Sequence, residues 1–212
     1  MIAPRDDDAD DDVRGTPPCL QALDVSRWRK AERERLISAR LELSAAYRAA
    51  QTAAIARDLN QLIPSDPDTV VSVYWPIKAE PDLRPWMNVA SQRGVRIVLP
   101  VAIALGQPLV FREWRPNTRM ARGLWKIPYP ADSAEIVPSV VIAPVVGFDK
   151  NCFRLGYGGG FFDRTLARFA ATPLVIGVGY PDALLSTIFP QAYDIPMDCI
   201  VTGSAPPLRR GV

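Results

Sequence analysis

The chain has 212 residues, 48% of them hydrophobic and 23% charged, with a formal net charge of +2 and no histidine. That length suits one core able to fold unaided. The missing imidazole excludes Ser-His-Asp and Cys-His catalysis, histidine metal ligands and histidine proton shuttles, leaving carboxylates, cations, backbone donors, an oxygen-held metal or the substrate's own groups.

Charge is unevenly spread along the chain. Residues 1–24 hold seven aspartates against Arg5 and Arg14, whereas residues 25–212 hold 23 basic and 16 acidic residues, a net +7. The aspartate-rich start, followed by Gly15-Thr16-Pro17-Pro18, lacks apolar content and repels itself. Residues 1–24 are therefore expected to be a disordered acidic tail, and residues 25–212 a single domain. A helix is expected over 26–43, starting at Ser26. Ser44 is placed to cap a second helix reaching about Leu62, with Ile55, Leu59 and Leu62 on one stripe.

From there strands and helices alternate. Val70–Trp75 reads as a buried strand, and residues 82–93 as a helix with Trp86, Val89 and Ala90 inward. Further strands are expected over Arg96–Val101, Leu109–Trp114 (an antiparallel partner), Val140–Val146, Leu174–Gly179 and Cys199–Thr202. A glycine-rich segment separates the Val140–Val146 run from a helix over about Phe161–Ala171. This order predicts a three-layer α/β/α architecture around a mostly parallel sheet.

Cys19, Cys152 and Cys199 are odd in number, widely spaced and without a CxxC pair, which disfavours a zinc site or a disulfide framework and suits a reducing compartment. No apolar run approaches the roughly 20 residues of a membrane span, and the acidic start lacks the features of a secretory signal. The basic residues form no dense stripe of the nucleic-acid-binding kind. The expectation is a cytoplasmic monomer that acts on small molecules and engages neither membrane nor nucleic acid.

The most informative stretch runs from Gly147-Phe148-Asp149 to Arg154-Leu155-Gly156-Tyr157-Gly158-Gly159-Gly160-Phe161-Phe162-Asp163-Arg164. Four glycines in five positions between a buried strand and a helix can turn backbone N–H groups toward an anion. Phe161 breaks the match to a Walker A loop and to a dinucleotide fingerprint. Arg154 could neutralise phosphate and Asp163 could hold magnesium; the same two residues would equally make a surface salt bridge. On the first helix Arg29, Arg33 and Arg40 share a face, with Lys30 beside them. They suit either a polyphosphate or a solvated face balanced by Glu32 and Glu34. Trp75 and Glu80 follow the first strand, where ligands of parallel sheets bind. Trp114 is a second stacking surface or a core residue.

With these segments in view, the chain from Trp28 to Thr202 resembles the 5-formyltetrahydrofolate cyclo-ligase family. The glycine segment is similar to that family's Arg-Leu-Gly-x-Gly-x-Gly-Tyr-Tyr-Asp-Arg signature. The basic first helix, Tyr74, Glu80 and Asp82, Phe111-Arg112-Glu113-Trp114, Ile127-Pro128 and Asp194-Ile195-Pro196-Met197-Asp198 support it. The resemblance implies a fold like sugar-phosphate isomerases and CoA transferases. It implies conversion of 5-formyltetrahydrofolate and ATP, with Mg2+, into 5,10-methenyltetrahydrofolate, ADP and phosphate. Carried over by position, ATP would meet Arg29, Lys30, Arg33, Arg154, Leu155, Gly156, Tyr157, Gly158, Gly159, Gly160, Phe161 and Phe162. The folate would meet Arg33, Trp75, Glu80, Trp114, Tyr157, Gly158, Gly159, Gly160 and Phe161. Arg154 and Asp163 would serve catalysis, and Asp163 with Asp198 would hold the metal.

The chain departs from the family pattern at Phe161 and Phe162, where tyrosines are frequent, and at Gly159, where some members are basic. Tyr193 stands where many carry histidine, and Gly203 where an acidic residue follows. These departures keep two alternatives in view: a nucleotide- or folate-binding regulator without turnover, and a related ATP-dependent enzyme acting on another heterocycle.

Overall fold

The computed structural model describes residues 18–64, 66 and 68–211. Its helices are α1 (Pro18–Glu42), α2 (Ala45–Leu62), α3 (Arg84–Gln92) and α4 (Phe161–Leu166). Its strands are β1 (Val70–Ser72), β2 (Arg96–Ala102), β3 (Leu109–Trp114), β4 (Met120–Arg122), β5 (Pro128–Pro130) and β6 (Val140–Pro144). They continue with β7 (Gly147–Asp149), β8 (Arg154–Leu155), β9 (Leu174–Val178), β10 (Leu184–Leu185), β11 (Cys199–Val201) and β12 (Leu208–Arg209).

Seven strands make one sheet in the order β12-β11-β9-β6-β1-β2-β3. The five central strands are mutually parallel, and an antiparallel strand closes each edge. The apolar runs lack polar alternation because both faces of the sheet are covered. Val71, Ile97, Leu99, Val140, Ile142, Ile176, Cys199 and Val201 face one way and pack on Ile55 and Leu59 of α2 and on Trp86 and Met87 of α3. Val141, Ala143, Val175 and Ile200, one residue out of phase, face Leu36 of α1 together with Phe148, Leu155 and Ile188. That second layer includes a small sheet, β10-β7-β8, where helices alone were expected. It forms because the chain reverses at Lys150–Phe153, with Asp149 accepting from the backbone N–H of Asn151 and Phe153.

Ser44 caps α2 as expected, accepting from the Tyr47 N–H at 3.2 Å. Helix α1 starts at Pro18, ahead of Ser26, since proline suits a first helical position and nothing between it and Ser26 breaks a helix. Residues 18–24 of the expected tail thus belong to α1, and residues 1–17 lie outside the described residues. On α3 the inward residue is Met87; Val89 is exposed, because one face of a nine-residue helix holds Trp86, Met87 and Ala90. Helix α4 ends at Leu166, five residues early, where the chain turns so that Phe169 packs on Phe111.

Leu59 is fully buried between α2 and the sheet. Leu59→Ala is expected to cost about 2–5 kcal/mol of stability, read as a lower urea midpoint with unchanged m-value. A loss below about 1 kcal/mol would show that this layer is not close-packed.

Candidate active site

A cleft of about 920 Å³ opens at the carboxyl ends of β1, β2 and β6. Strand β1 lies between β6 and β2, so the chain leaves it in one direction and later returns on its other side. Ligands of open α/β sheets bind at such switch points. Tyr74, Trp75 and Glu80 line the cleft from the segment after β1, Pro100 and Val101 from β2, and Pro144 from β6. The glycine segment from Arg154 to Asp163 forms one wall, and α1 brings Arg29 and Arg33 across it.

The glycine wall is organised around Arg154. Its side chain is only 6% exposed, donates from Nη2 to Asp163 Oδ2 at 3.0 Å, and lies 4.9 Å from the Phe162 ring centroid. Its Nε has no partner among the described residues. Burial pulls this guanidinium below its ordinary pKa, against the opposing pull of Asp163 and Asp194. A Cβ on Gly156 would lie 2.5 Å from Arg154 Nη1, so glycine there is what admits the arginine. Gly160 adopts φ +63° and opens α4, a conformation costly for any side chain.

Arg33 crosses from α1 and donates through Nε to the Gly156 carbonyl at 2.7 Å. Burial, then the adjacent Arg29, lowers its pKa. Two cations therefore flank the glycines, one of them desolvated and short of an acceptor, an arrangement suited to a phosphate. Arg29 is spent differently. It donates to the carbonyls of Ile188 and Phe189 and to Asp194 at 2.5 Å, so it lines the cleft while tying α1 to the 188–194 segment.

Opposite stands Glu80, only 4% exposed. Its Oε2 accepts from the Ile77 N–H and its Oε1 from the Tyr157 hydroxyl, each at 2.8 Å. Burial raises its pKa, and the Ile77 N–H, Tyr157, Arg40 and Lys78 oppose that rise. Trp75 lines the cleft beneath the Arg84 guanidinium, which lies 5.4 Å from its ring centroid.

Several expected site residues stand elsewhere. Lys30 is exposed and does not line the cleft, since it lies one residue round the helix from Arg29. Trp114 is 6% exposed and packs in the core behind the sheet, because its β3 register opposite Ile97 turns it away from the cleft. Asp198 accepts from the Val175 N–H at 2.8 Å and from Arg210 at 3.2 Å, joining β9 to the β12 edge. It does not line the cleft, whereas Asp163 does, with its oxygens taken by Arg154 and by the Ile195 N–H at 3.3 Å. The two carboxylates therefore do not fit a shared magnesium site, and no group of three or more His, Cys, Asp or Glu gathers among the described residues.

Sequence reasoning missed the hairpin of β4 and β5, which supplies Leu124, Trp125 and Tyr129 to the cleft. Trp125 is 60% exposed, adopts φ +54°, and meets Phe161 edge-on at 5.5 Å between centroids. A large aromatic held in a left-handed conformation at a cleft mouth points to ligand contact. Its signal was the solitary tryptophan between Gly123 and Pro128.

The model of the 5-formyltetrahydrofolate cyclo-ligase family matches residues 25–203. A 5-formyltetrahydrofolate cyclo-ligase of Mycolicibacterium smegmatis is 35% identical over 140 residues, covering 62% of this chain and 72% of that protein. One from Escherichia coli is 31% identical over 144 residues, covering 63% and 78%. The solved 5,10-methenyltetrahydrofolate synthetase of Aquifex aeolicus superposes with a TM-score of 0.74 at 26% identity, over 87% of this chain and 93% of that one. With the motif, the layered fold and 179 of its 212 residues inside the family match, the chain belongs to the 5-formyltetrahydrofolate cyclo-ligase family.

Proposed function

We propose that this protein uses ATP to cyclise 5-formyltetrahydrofolate to 5,10-methenyltetrahydrofolate, releasing ADP and phosphate. The observation that carries this reading is Arg154, a desolvated guanidinium with an unused Nε donor beneath the glycine wall of an aromatic cleft. A buried cation short of an acceptor favours an anion at that point.

In this account the triphosphate lies along Arg33, Arg154 and the backbone of Gly156–Gly160, with Asp163 orienting Arg154. The folate lies between Trp75, Glu80, Tyr157 and the Trp125–Phe161 pair. The formyl oxygen attacks the terminal phosphorus and ADP departs, leaving a phosphorylated imidate on the folate. N10 then attacks the imidate carbon, the C–O bond to phosphate breaks, and N10 loses its proton. Both nucleophiles belong to the substrate, so the protein's work is alignment and charge stabilisation, which needs no imidazole. Glu80, with both oxygens already accepting, suits an N–H edge of the pterin. Magnesium, which is commonly held by substrate phosphates with only one or two protein carboxylates, would come with the nucleotide and would neutralise charge on its phosphates. Here Asp163 is the neighbouring carboxylate and Asp198 takes no part. The free, buried thiols Cys152 and Cys199, each pushed up by burial to about 11, accord with a reducing cytoplasmic setting.

Given 5-formyltetrahydrofolate and Mg-ATP, the purified protein is expected to generate the near-UV absorbance of a methenyl folate with matching phosphate release. Calorimetric binding of both ligands without phosphate would instead assign a non-catalytic regulator. Arg154→Met is expected to raise KM for ATP about 10–100-fold through loss of a charge-assisted contact. Unaltered ATP kinetics in a folded variant would make Arg154 purely structural. Trp125→Ala is expected to raise KM for the folate about 3–10-fold while ATP binding holds; an unchanged folate KM would remove Trp125 from the site.

A further inference from the structure

Arg40 is the third arginine of the α1 face, and the cleft account leaves it without a role. It is 6% exposed, does not line the cleft, and reaches two separate segments of the chain. Its Nε donates to the Lys78 carbonyl at 2.9 Å, and its Nη2 to the Tyr157 hydroxyl at 2.6 Å. That hydroxyl stands 2.8 Å from Glu80 Oε1.

We propose that Arg40 is a positioning residue for Glu80, acting through the Tyr157 hydroxyl and the Lys78 carbonyl. The inference rests on the folate-binding role given to Glu80 above. Its logic is the direction of hydrogen bonds. A guanidinium only donates, so Arg40 takes an acceptor lone pair of the Tyr157 oxygen. The single Tyr157 proton is then left for Glu80 Oε1. The Ile77 N–H occupies Oε2. Both Glu80 oxygens are thereby held as acceptors, and the carboxylate is fixed in the form able to receive a substrate N–H. Without Arg40 the phenol is free to turn round and accept a proton from a neutral Glu80.

The second contact secures the backbone. Lys78 and Ala79 have φ of +46° and +58°, left-handed values that neither side chain favours. Arg40 holds the Lys78 carbonyl, and the Tyr180 hydroxyl holds the Ala79 carbonyl at 3.1 Å. One arginine thus anchors the strained turn that carries Glu80 and sets the proton direction at its carboxylate.

The charged and titratable groups facing Glu80 are Lys78 on its own turn, Tyr74 after β1, Tyr157 on the glycine wall, Arg40 on α1 and Tyr180 after β9. Burial raises the Glu80 pKa, and Arg40 and Tyr157 oppose the rise. Removing either therefore moves the carboxyl's titration to higher pH. Carbon-13 NMR of the side-chain carboxyls in ligand-free protein reads this directly, with the Glu80 signal assigned by its loss in Glu80→Gln. Arg40→Met and Tyr157→Phe are each expected to raise the Glu80 midpoint by about one pH unit. The double variant should rise by less than the sum of the two singles, because the hydrogen-bonded part of both shifts is one relay and only the direct field of Arg40 acts apart from it. Arg40→Lys should restore part of the shift.

Tyr157 is partly exposed, so Tyr157→Phe carries the test if Arg40→Met does not fold. An unmoved midpoint in folded Tyr157→Phe, or additive shifts in the double variant, overturns the relay. Kinetics separate this from the underlying folate reading. The acidic limb of kcat/KM for the folate should follow the NMR midpoint upward while KM for ATP stays within about twofold. A shifted midpoint with an unmoved limb would leave the relay standing and remove Glu80 from turnover.

Discussion

The structure depends on arginines drawn partly or wholly out of water. Three on one face of α1, Arg29 and Arg40 buried and Arg33 half-buried, hold segments that lie far away in sequence. Arg29 anchors residues 188–194, Arg33 the Gly156 carbonyl, and Arg40 both the Lys78 turn and Tyr157. A buried guanidinium is costly unless its donors are matched, so each fixes the loop that supplies its acceptors. Arg154 completes the set from the glycine wall, and its unmatched Nε is the buried donor left short beside the cleft. The cleft is the space these arginines frame, and its chemistry follows from what they still lack.

The sheet explains why that space lies where it does. Strand β1 stops at Ser72, opposite Val98 and Val141, while its parallel neighbours β2 and β6 run on to Ala102 and Pro144, and the direction of chain progression reverses at β1, leaving a crevice at the carboxyl ends. Glycine at 156 leaves to the Arg154 guanidinium the space a Cβ would fill, and Gly160 lets the wall turn directly into α4. The result is a site of cations and backbone with aromatic sides. It suits a reaction in which one ligand brings both nucleophiles, and such chemistry needs no histidine.

Much of this was legible in the sequence because apolar runs and caps are local signals. The parallel strands, the Ser44 cap, the antiparallel β3 and the glycine wall all follow from short windows of sequence. What escaped depended on register and on distance. Trp114 sits at a strand end like Trp75, yet its pairing opposite Ile97 turns it into the core. The arginine row on α1 has the spacing of a solvated face, and only the folded chain shows carbonyls from residues 78, 156, 188 and 189 waiting for it. Asp198 looked like a metal ligand because its neighbours matched a motif, whereas its oxygens serve the Val175 N–H and Arg210. The β4–β5 hairpin is three residues a side, too short to show alternation, so Trp125 went unplaced.

The central claim is that the protein aligns and stabilises while the substrate supplies the nucleophile. Its most direct test is the fate of a heavy-oxygen label placed on the formyl group of 5-formyltetrahydrofolate during turnover with ATP. The account predicts that the label leaves in the released phosphate, one atom per turnover, because the formyl oxygen becomes bonded to phosphorus before the ring closes. Unlabelled phosphate accompanying methenyl product would contradict it, since ATP would then be hydrolysed by water and the formyl oxygen lost by another route.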